Sequence, residues 1–335
     1  FGAPAARFDG NAQLSLPRPA EDNLSFVAVF ATTSLASHSN WFQSPGVLGG
    51  EVAGGCGDFH FGINAGKPLF VAADNQITTG NAFANGLPHW MMATRVLSTG
   101  RDRLYVDGTQ RSSALASAGL SLNCPLTVYL GCATESDGFW TGDLFEFVAY
   151  SKVLNDAERT ILETYFAARH GTEPSRDLYE FGDTHRGDVA GIGRESDASV
   201  QDSAEGRGIV RISRPSALSD GDYLLWGTDL PDDYSLSTDV PPAYALRLRR
   251  VYARTITDGG GGDGVGLVSV RFRVGGLFLS PVPADFALLL DDDGLDFSDA
   301  VAHPLPGLYD SSVQSIEFEE VDLSQHRYFS LVVRP

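Results

Sequence analysis

Lysine is almost missing from this chain. Of its 24 basic Lys and Arg residues, only Lys67 and Lys152 are lysine. Against them stand 43 acidic residues, which leaves a formal charge of -19. A surface this short of cations repels phosphate, which excludes a nucleic-acid partner and disfavours anionic membrane. The acidic excess either keeps the protein soluble or holds divalent cations. No apolar run reaches 18 residues, so no membrane-spanning helix is predicted. No signal peptide is visible and the chain opens on Phe1, as expected of a processed mature protein or of a fragment of a longer one. Disorder is excluded by a 43% hydrophobic content, enough for a core in each half of 335 residues.

Cysteine is also sparse. There are three, Cys56, Cys124 and Cys132, and an odd count leaves at least one unpaired. Cys124 and Cys132 bracket a strand-like run at 125–131. At about 3.3 Å per residue an extended run holds its ends roughly 20 Å apart, which disfavours a bond between them. Cys56 with Cys132 is the pairing the sequence favours, since both stand at strand edges beside glycine. Three buried free thiols is the alternative.

What is abundant is short alternating strand. Residues 58–64 place Phe59, Phe61 and Ile63 on one face and His60 and Gly62 on the other. Residues 24–31 are apolar on both faces, the mark of a strand buried between layers. Residues 89–96 and 103–107 predict a hairpin. One amphipathic helix interrupts the pattern. It is capped at Asn155 or Asp156, carries Ile161, Leu162, Tyr165, Phe166 and Ala168 at helical spacing, and stops at Gly171. The polar stretch 172–178 contains Pro174 and reads as a linker. Strands resume beyond it. The predicted fold class is all-β: a first sandwich over 1–171 closed by the helix, then a second antiparallel sandwich, Ig-like or jelly roll, over 179–335.

Three segments carry a resemblance. RFDGNAQLSLP (7–17), RLYVDGTQ (103–110) and TGDLFEFVAYSKVLNDAERTILETYFAARHG (141–171) resemble the opening strands, a strand–turn element, and the closing strand and helix of laminin-G-like, concanavalin A-like jelly rolls. The resemblance implies a two-sheet jelly roll over residues 6–171. In the second half, DVAGIGRE (188–195), LSDGDYLLWGTD (218–229) and LLLDDDGLDFSDA (288–300) resemble a β-sandwich that follows such domains in large secreted proteins of marine and gliding bacteria. That resemblance implies surface attachment or appendage proteins rather than a known reaction.

Jelly rolls of this kind include glycoside hydrolases, which need carboxylates on one face of a strand. The best candidates, Asp143 and Glu146, are three apart and on a regular strand point to opposite faces. No catalytic residue is therefore predicted. The chain has no G-x-S-x-G motif, and its seven histidines show no zinc-ligand spacing. His60 and Asp58 share a strand face, which reads as an exposed pair.

Calcium is the one cofactor the pattern points to. Asp291, Asp292, Asp293, Asp296 and Asp299 crowd a turn around Gly294, although no Glu closes an EF-hand. The alternative is an acidic, solvated turn. Asp74, Asn75 and Asp137 could sit at the sandwich rim, where laminin-G-like domains often hold calcium. Sugar rings stack on exposed Trp. Trp90 and Trp226 lie in apolar strands and read as core. Trp140 follows a polar loop and is the first rim candidate, with Trp41 next; core packing is the alternative for both.

The expected function is that of an extracellular or cell-surface binding module, non-catalytic, recognising a glycan or protein on another surface. A structural subunit of a surface layer or fibre, assembling with copies of itself, is the second reading. A glycan-active enzyme or its accessory domain is the third.

Overall fold

The computed structural model describes residues 4–333 except 53, 55, 56, 74, 125, 263 and 276–285. The chain forms two compact units, Phe1–Leu154 with His170–Ser175, and Asn155–Arg169 with Arg176–Pro335.

The strands of the first unit run in chain order as β1 (Ala6–Asp9), β2 (Leu14–Pro17), β3 (Leu24–Ala31), β4 (Gly46–Gly50), β5 (Phe59–Asn64), β6 (Lys67–Ala72), β7 (Asn75–Thr78), β8 (His89–Val96), β9 (Arg101–Val106), β10 (Thr109–Leu115), β11 (Thr127–Leu130) and β12 (Thr141–Tyr150). Among the described residues they build two six-stranded sheets, ordered β1-β12-β3-β8-β9-β10 and β2-β11-β4-β5-β6-β7. The central pairs β12–β3, β3–β8 and β4–β5 are antiparallel. Phe26, Ala28 and Phe30 of β3 face Phe59, Phe61 and Phe70 of the opposite sheet in one core. This is the sandwich that the alternation at 58–64 and the all-apolar run at 24–31 predict.

Strand β12 departs from the expected regularity. Its register against β3 shifts between Leu144 and Glu146: Asp143 lies opposite Ala31 and Glu146 opposite Val29. Ala31 and Val29 are two apart and share a face, so the bulge brings Asp143 and Glu146 to the same face. The expectation that they point apart is corrected. A rule of alternation fails wherever an extra residue is inserted, and Phe145 is that residue.

The second unit begins with α1 (Asp156–His170), the one helix of a full turn or more in α geometry among the described residues. Asn155 caps it as foreseen. Its Oδ1 accepts from the Glu158 amide at 2.9 Å, and Glu158 Oε2 accepts from the Asn155 amide at 3.0 Å, a reciprocal capping box. The sequence assigns this helix to the end of the first domain, whereas residues 155–169 pack with the second unit. At Gly191 the helix and the neighbouring strand both come close: a Cβ there would lie 2.4 Å from Leu225 Cδ2 and 3.3 Å from Ile161 Cγ1.

The strands that follow are β13 (Gly187–Ser196), β14 (Ser199–Gln201), β15 (Ser203–Glu205), β16 (Val210–Ser213), β17 (Tyr223–Thr228), β18 (Leu236–Ser237), β19 (Leu246–Leu248), β20 (Tyr252–Thr257), β21 (Val268–Arg273), β22 (Phe286–Asp291), β23 (Val301–Ala302), β24 (Leu308–Asp310), β25 (Ser315–Val321) and β26 (Tyr328–Val333). One sheet runs β14-β13-β17-β20-β26-β19-β18, with β22 paired to β26 and β23; the other runs β15-β16-β21-β25-β24. Ile212, Val270, Phe272 and Phe318 from the second sheet meet Leu224, Trp226, Leu288 and Phe329 from the first in a common core. The second half is a β-sandwich, as expected.

Candidate functional site

The strand ladders of the first unit place the connections 32–45, 64–67, 79–88, 107–108 and 131–140 at one end of the sandwich. The longest, 32–45, is pinned there rather than free. His38 donates its amide to Asn64 Oδ1, and Asn64 Nδ2 donates back to the His38 carbonyl, both at 2.9 Å. The Ala65 amide reaches the Ala36 carbonyl at 2.7 Å. The β5–β6 turn accepts this load because Ala65 and Gly66 both take positive φ, 52° and 73°, the signature of a tight two-residue hairpin turn. A Cβ on Gly66 would collide with Leu35 and Ala84, so this glycine is required for the loop to lie close.

On that pinned loop a single 3-10 turn, Trp41–Gln43, carries two adjacent aromatic rings. Trp41 is half-buried and Phe42 is 37% exposed. Their ring centroids are 5.7 Å apart and nearly perpendicular. Beneath them lies His60, whose ring centroid is 6.0 Å from that of Trp41.

His60 was expected on an exposed strand face with Asp58. Both are buried, and His60 is 0% exposed. Neither of its ring nitrogens has a hydrogen-bond partner among the described residues. Burial pushes its pKa down to about 3, so the ring is neutral at ordinary pH. The outward face of β5 is covered because the 32–45 loop folds back over it; the Ile63 amide bonds the Pro45 carbonyl at 2.9 Å. A long polar loop between strands gave no sign in the sequence of which face it would cover.

A second feature stands at the same end. His89 Nδ1 lies 2.6 Å from Asp107 Oδ2, and His89 Nε2 lies 3.0 Å from Asn85 Oδ1. Phe83 stands edge-on to His89 at 5.2 Å, and Arg111 sits over Phe83 at 5.5 Å. This ties the 79–88 loop to the β9–β10 turn and so makes the rim rigid. None of these residues was singled out from sequence. Phe42 was the legible one, as a second aromatic beside Trp41 in a polar loop.

Trp140 does not serve as a rim ring. It is 1% exposed and packs edge-on against Phe30, with centroids 5.7 Å apart. Gly131 and Trp140 are bonded backbone to backbone, and this folds the 131–140 loop inward so that the indole enters the core.

The expected metal ligands do not converge. Asn75 opens β7, next to the Asp58–Ala73 backbone bond, whereas Asp137 sits in the loop bonded to Gly46 at the other end of the strands. Asp74 lies outside the described residues. Asp137 Oδ1 is used by the Gly138 amide at 2.8 Å. In the second unit Asp291 Oδ2 accepts from the Asp293 and Gly294 amides, at 3.1 and 2.6 Å. Asp293 accepts from Leu295, and Asp296 caps Ser298. Asp292 Oδ1 meets His326 Nδ1 at 2.9 Å. Asp299 is exposed beside that cap. Among the described residues no three His, Cys, Asp or Glu gather as a metal would need. The donors already aimed at these carboxylates make the run a hydrogen-bonded acidic turn.

The two carboxylates that share a face on β12 are each engaged. Asp143 takes a bidentate pair from Arg7, both contacts at 2.7 Å, and this bonding holds its pKa below the usual carboxylate range. Glu146 Oε2 lies 3.0 Å from His170 Nε2.

The cysteines also differ from expectation. Cys132 is a buried free thiol, so the bond to Cys56 does not form; Cys56 lies outside the described residues. The thiol donates to Gln13 Oε1 at 2.7 Å, and burial pushes its pKa up to about 12. Cys124 is disulfide-bonded.

Solved structures similar to this chain include a heptameric SAP-like pentraxin from Limulus polyphemus, at 12% identity and TM-score 0.38, covering 48% of this chain and 81% of that one. The Ruminococcus gnavus IT-sialidase CBM40 bound to alpha2,3 sialyllactose matches at 16% identity and TM-score 0.38, covering 45% and 92%. Domains LG4-5 of the mouse laminin alpha1 chain match at 13% identity and TM-score 0.36, covering 99% and 88%. No curated protein sequence matches the chain. A family model does: that of the concanavalin A-like lectin/glucanases superfamily matches residues 9–158, which hold strands β2 to β12 of the first unit.

Proposed function

We propose that the first unit is an extracellular, non-catalytic glycan-binding module whose contact surface is the Trp41–Phe42 rim. The observation that carries this reading is an accessible aromatic pair on a loop fixed at both its Asn64 and Ala65 contacts. Stacking on a sugar needs a flat apolar face that is already in place, because ordering a loose loop would consume the binding energy. The superfamily whose model matches includes lectins, which fits this use.

A non-catalytic role is supported by the state of Asp143 and Glu146. A general acid must hold a proton near neutral pH, and Asp143, bonded twice by Arg7, is held ionised instead. An extracellular site is supported by the disulfide at Cys124, since such bonds persist in oxidising compartments.

The test is a glycan array run with and without chelator on the full chain and on Trp41→Ala. The expected outcome is binding that survives chelation and falls at least about tenfold in the variant, the loss of roughly one stacking contact. Unchanged binding in Trp41→Ala, with an unchanged melting temperature, would reject the rim as the site.

A further inference from the structure

The outer face of the five-stranded sheet carries an unusual pairing. Arg211 of β16 and Arg271 of β21 lie directly opposite each other. Like charges in that position repel and cost stability. In a chain with 43 acidic residues a carboxylate would be expected to relieve them. Glu205 stands opposite Arg211 and Glu317 opposite Arg271 on the flanking strands, and Asp310 feels the charge of Arg271, but among the described residues no carboxylate closes to ion-pair distance of either guanidinium. Arg211 bonds only the Ser203 hydroxyl, at 2.9 and 2.7 Å, and Arg271 makes no hydrogen bond or ion pair. The acids nearby are committed elsewhere: Glu317 and Glu319 to Arg214, Glu205 to Arg273, and Asp310 to Ser312.

The two guanidinium groups open on a hollow of about 330 Å³, walled also by Ile209, Val313, Ser315 and the Glu205–Arg273 pair. Ser315 is buried, and its hydroxyl has no hydrogen-bond partner among the described residues. A buried hydroxyl left unpaired usually marks a missing ligand or water. A second hollow, of about 310 Å³, shares Arg211 and Arg271 and adds Arg214 with the carboxylates Asp202 and Glu317. The cationic pair therefore stands where two hollows meet.

We infer that this face binds an acidic oligosaccharide, with one sugar carboxylate seated between Arg211 and Arg271. The planar guanidinium forks match a carboxylate. Ser315 offers a hydroxyl partner, and Ile209 and Val313 offer an apolar wall for the ring. The surrounding Glu205 and Glu317 exclude a densely charged polymer while accepting bonds from sugar hydroxyls. The site lies in the second unit and does not depend on the Trp41 rim.

The experiment is calorimetric titration of the full chain with a galacturonate trimer, a neutral glucose trimer, a heavily sulfated oligosaccharide and inorganic sulfate. Binding of the galacturonate trimer alone is expected, weakening at least about tenfold in each of Arg211→Gln and Arg271→Gln. Trp41→Ala should leave it unchanged, which separates this site from the rim. Both guanidinium groups are on an open face, so the Gln variants should fold, and circular dichroism with melting checks this. Ser315→Ala provides a variant with no charge change, expected to weaken the trimer as well. Three results would each overturn the inference: no binding of the galacturonate trimer, binding indifferent to both Arg substitutions, or sulfate or the sulfated oligosaccharide binding as tightly as the trimer.

Discussion

At the scale of single residues, burial decides which side chains can act. Trp41 and Trp140 are the same residue type in comparable polar loops, yet one is accessible and the other is sealed against Phe30. Nothing local separates them; the direction in which each loop folds does. His60 is a sharper case, because its burial makes a measurable claim. Its folded pKa is lowered to about 3, while an unfolded histidine titrates near 6.5. Between these values the unfolded chain binds a proton that the folded chain refuses. The stability due to the neutral ring is therefore complete above pH 6.5 and is lost as pH falls, by about 1.4 kcal/mol per pH unit. His60→Leu should remove that dependence. Denaturant titrations from pH 7 to pH 4 should show the gap between wild type and variant shifting in the variant's favour as the solution is acidified. Parallel profiles would mean that the ring takes up a proton in the folded protein.

At the scale of elements, the helix and strand β12 show where local sequence rules hold and where they fail. The capping of α1 was legible because it depends on residues three apart, Asn155 and Glu158. Asn155 does more than cap. Its Nδ2 donates to the Val200 carbonyl at 3.1 Å, and its Oδ1 accepts from Ser199 at 3.2 Å. Asn155→Ala should therefore cost about 2 kcal/mol, the upper end for a lost cap, seen as a lower denaturation midpoint. Asn155→Asp keeps the acceptor and should recover most of it. A loss below about 0.5 kcal/mol for the Ala variant would show that the cap is dispensable. The bulge in β12 was not legible. Asp143 and Glu146 reach one face only because Phe145 is extra to the pairing with β3, and a bulge is set by the partner strand.

At the scale of the whole molecule, charge is the property that needs no coordinates. The net charge of -19 vanishes near the sequence isoelectric point of about 4.6. Solubility should be lowest there, because self-repulsion is lost. Turbidity measured across pH 3–8 should peak near that point, and a flat profile would contradict the charge argument.

Composition and period-two alternation by themselves determined the two β-sandwiches, the strand cores, the single capped helix and the acidic surface. They could do so because these properties follow from nearest neighbours along the chain and from sums over it. The tertiary structure alone decided that α1 packs with the second unit, that Cys132 stays a free thiol, that Asp292 meets His326, and that Arg211 faces Arg271. Each of these depends on which distant segment closes over a face, and that is fixed by packing and loop direction, quantities with no signature in local residue order.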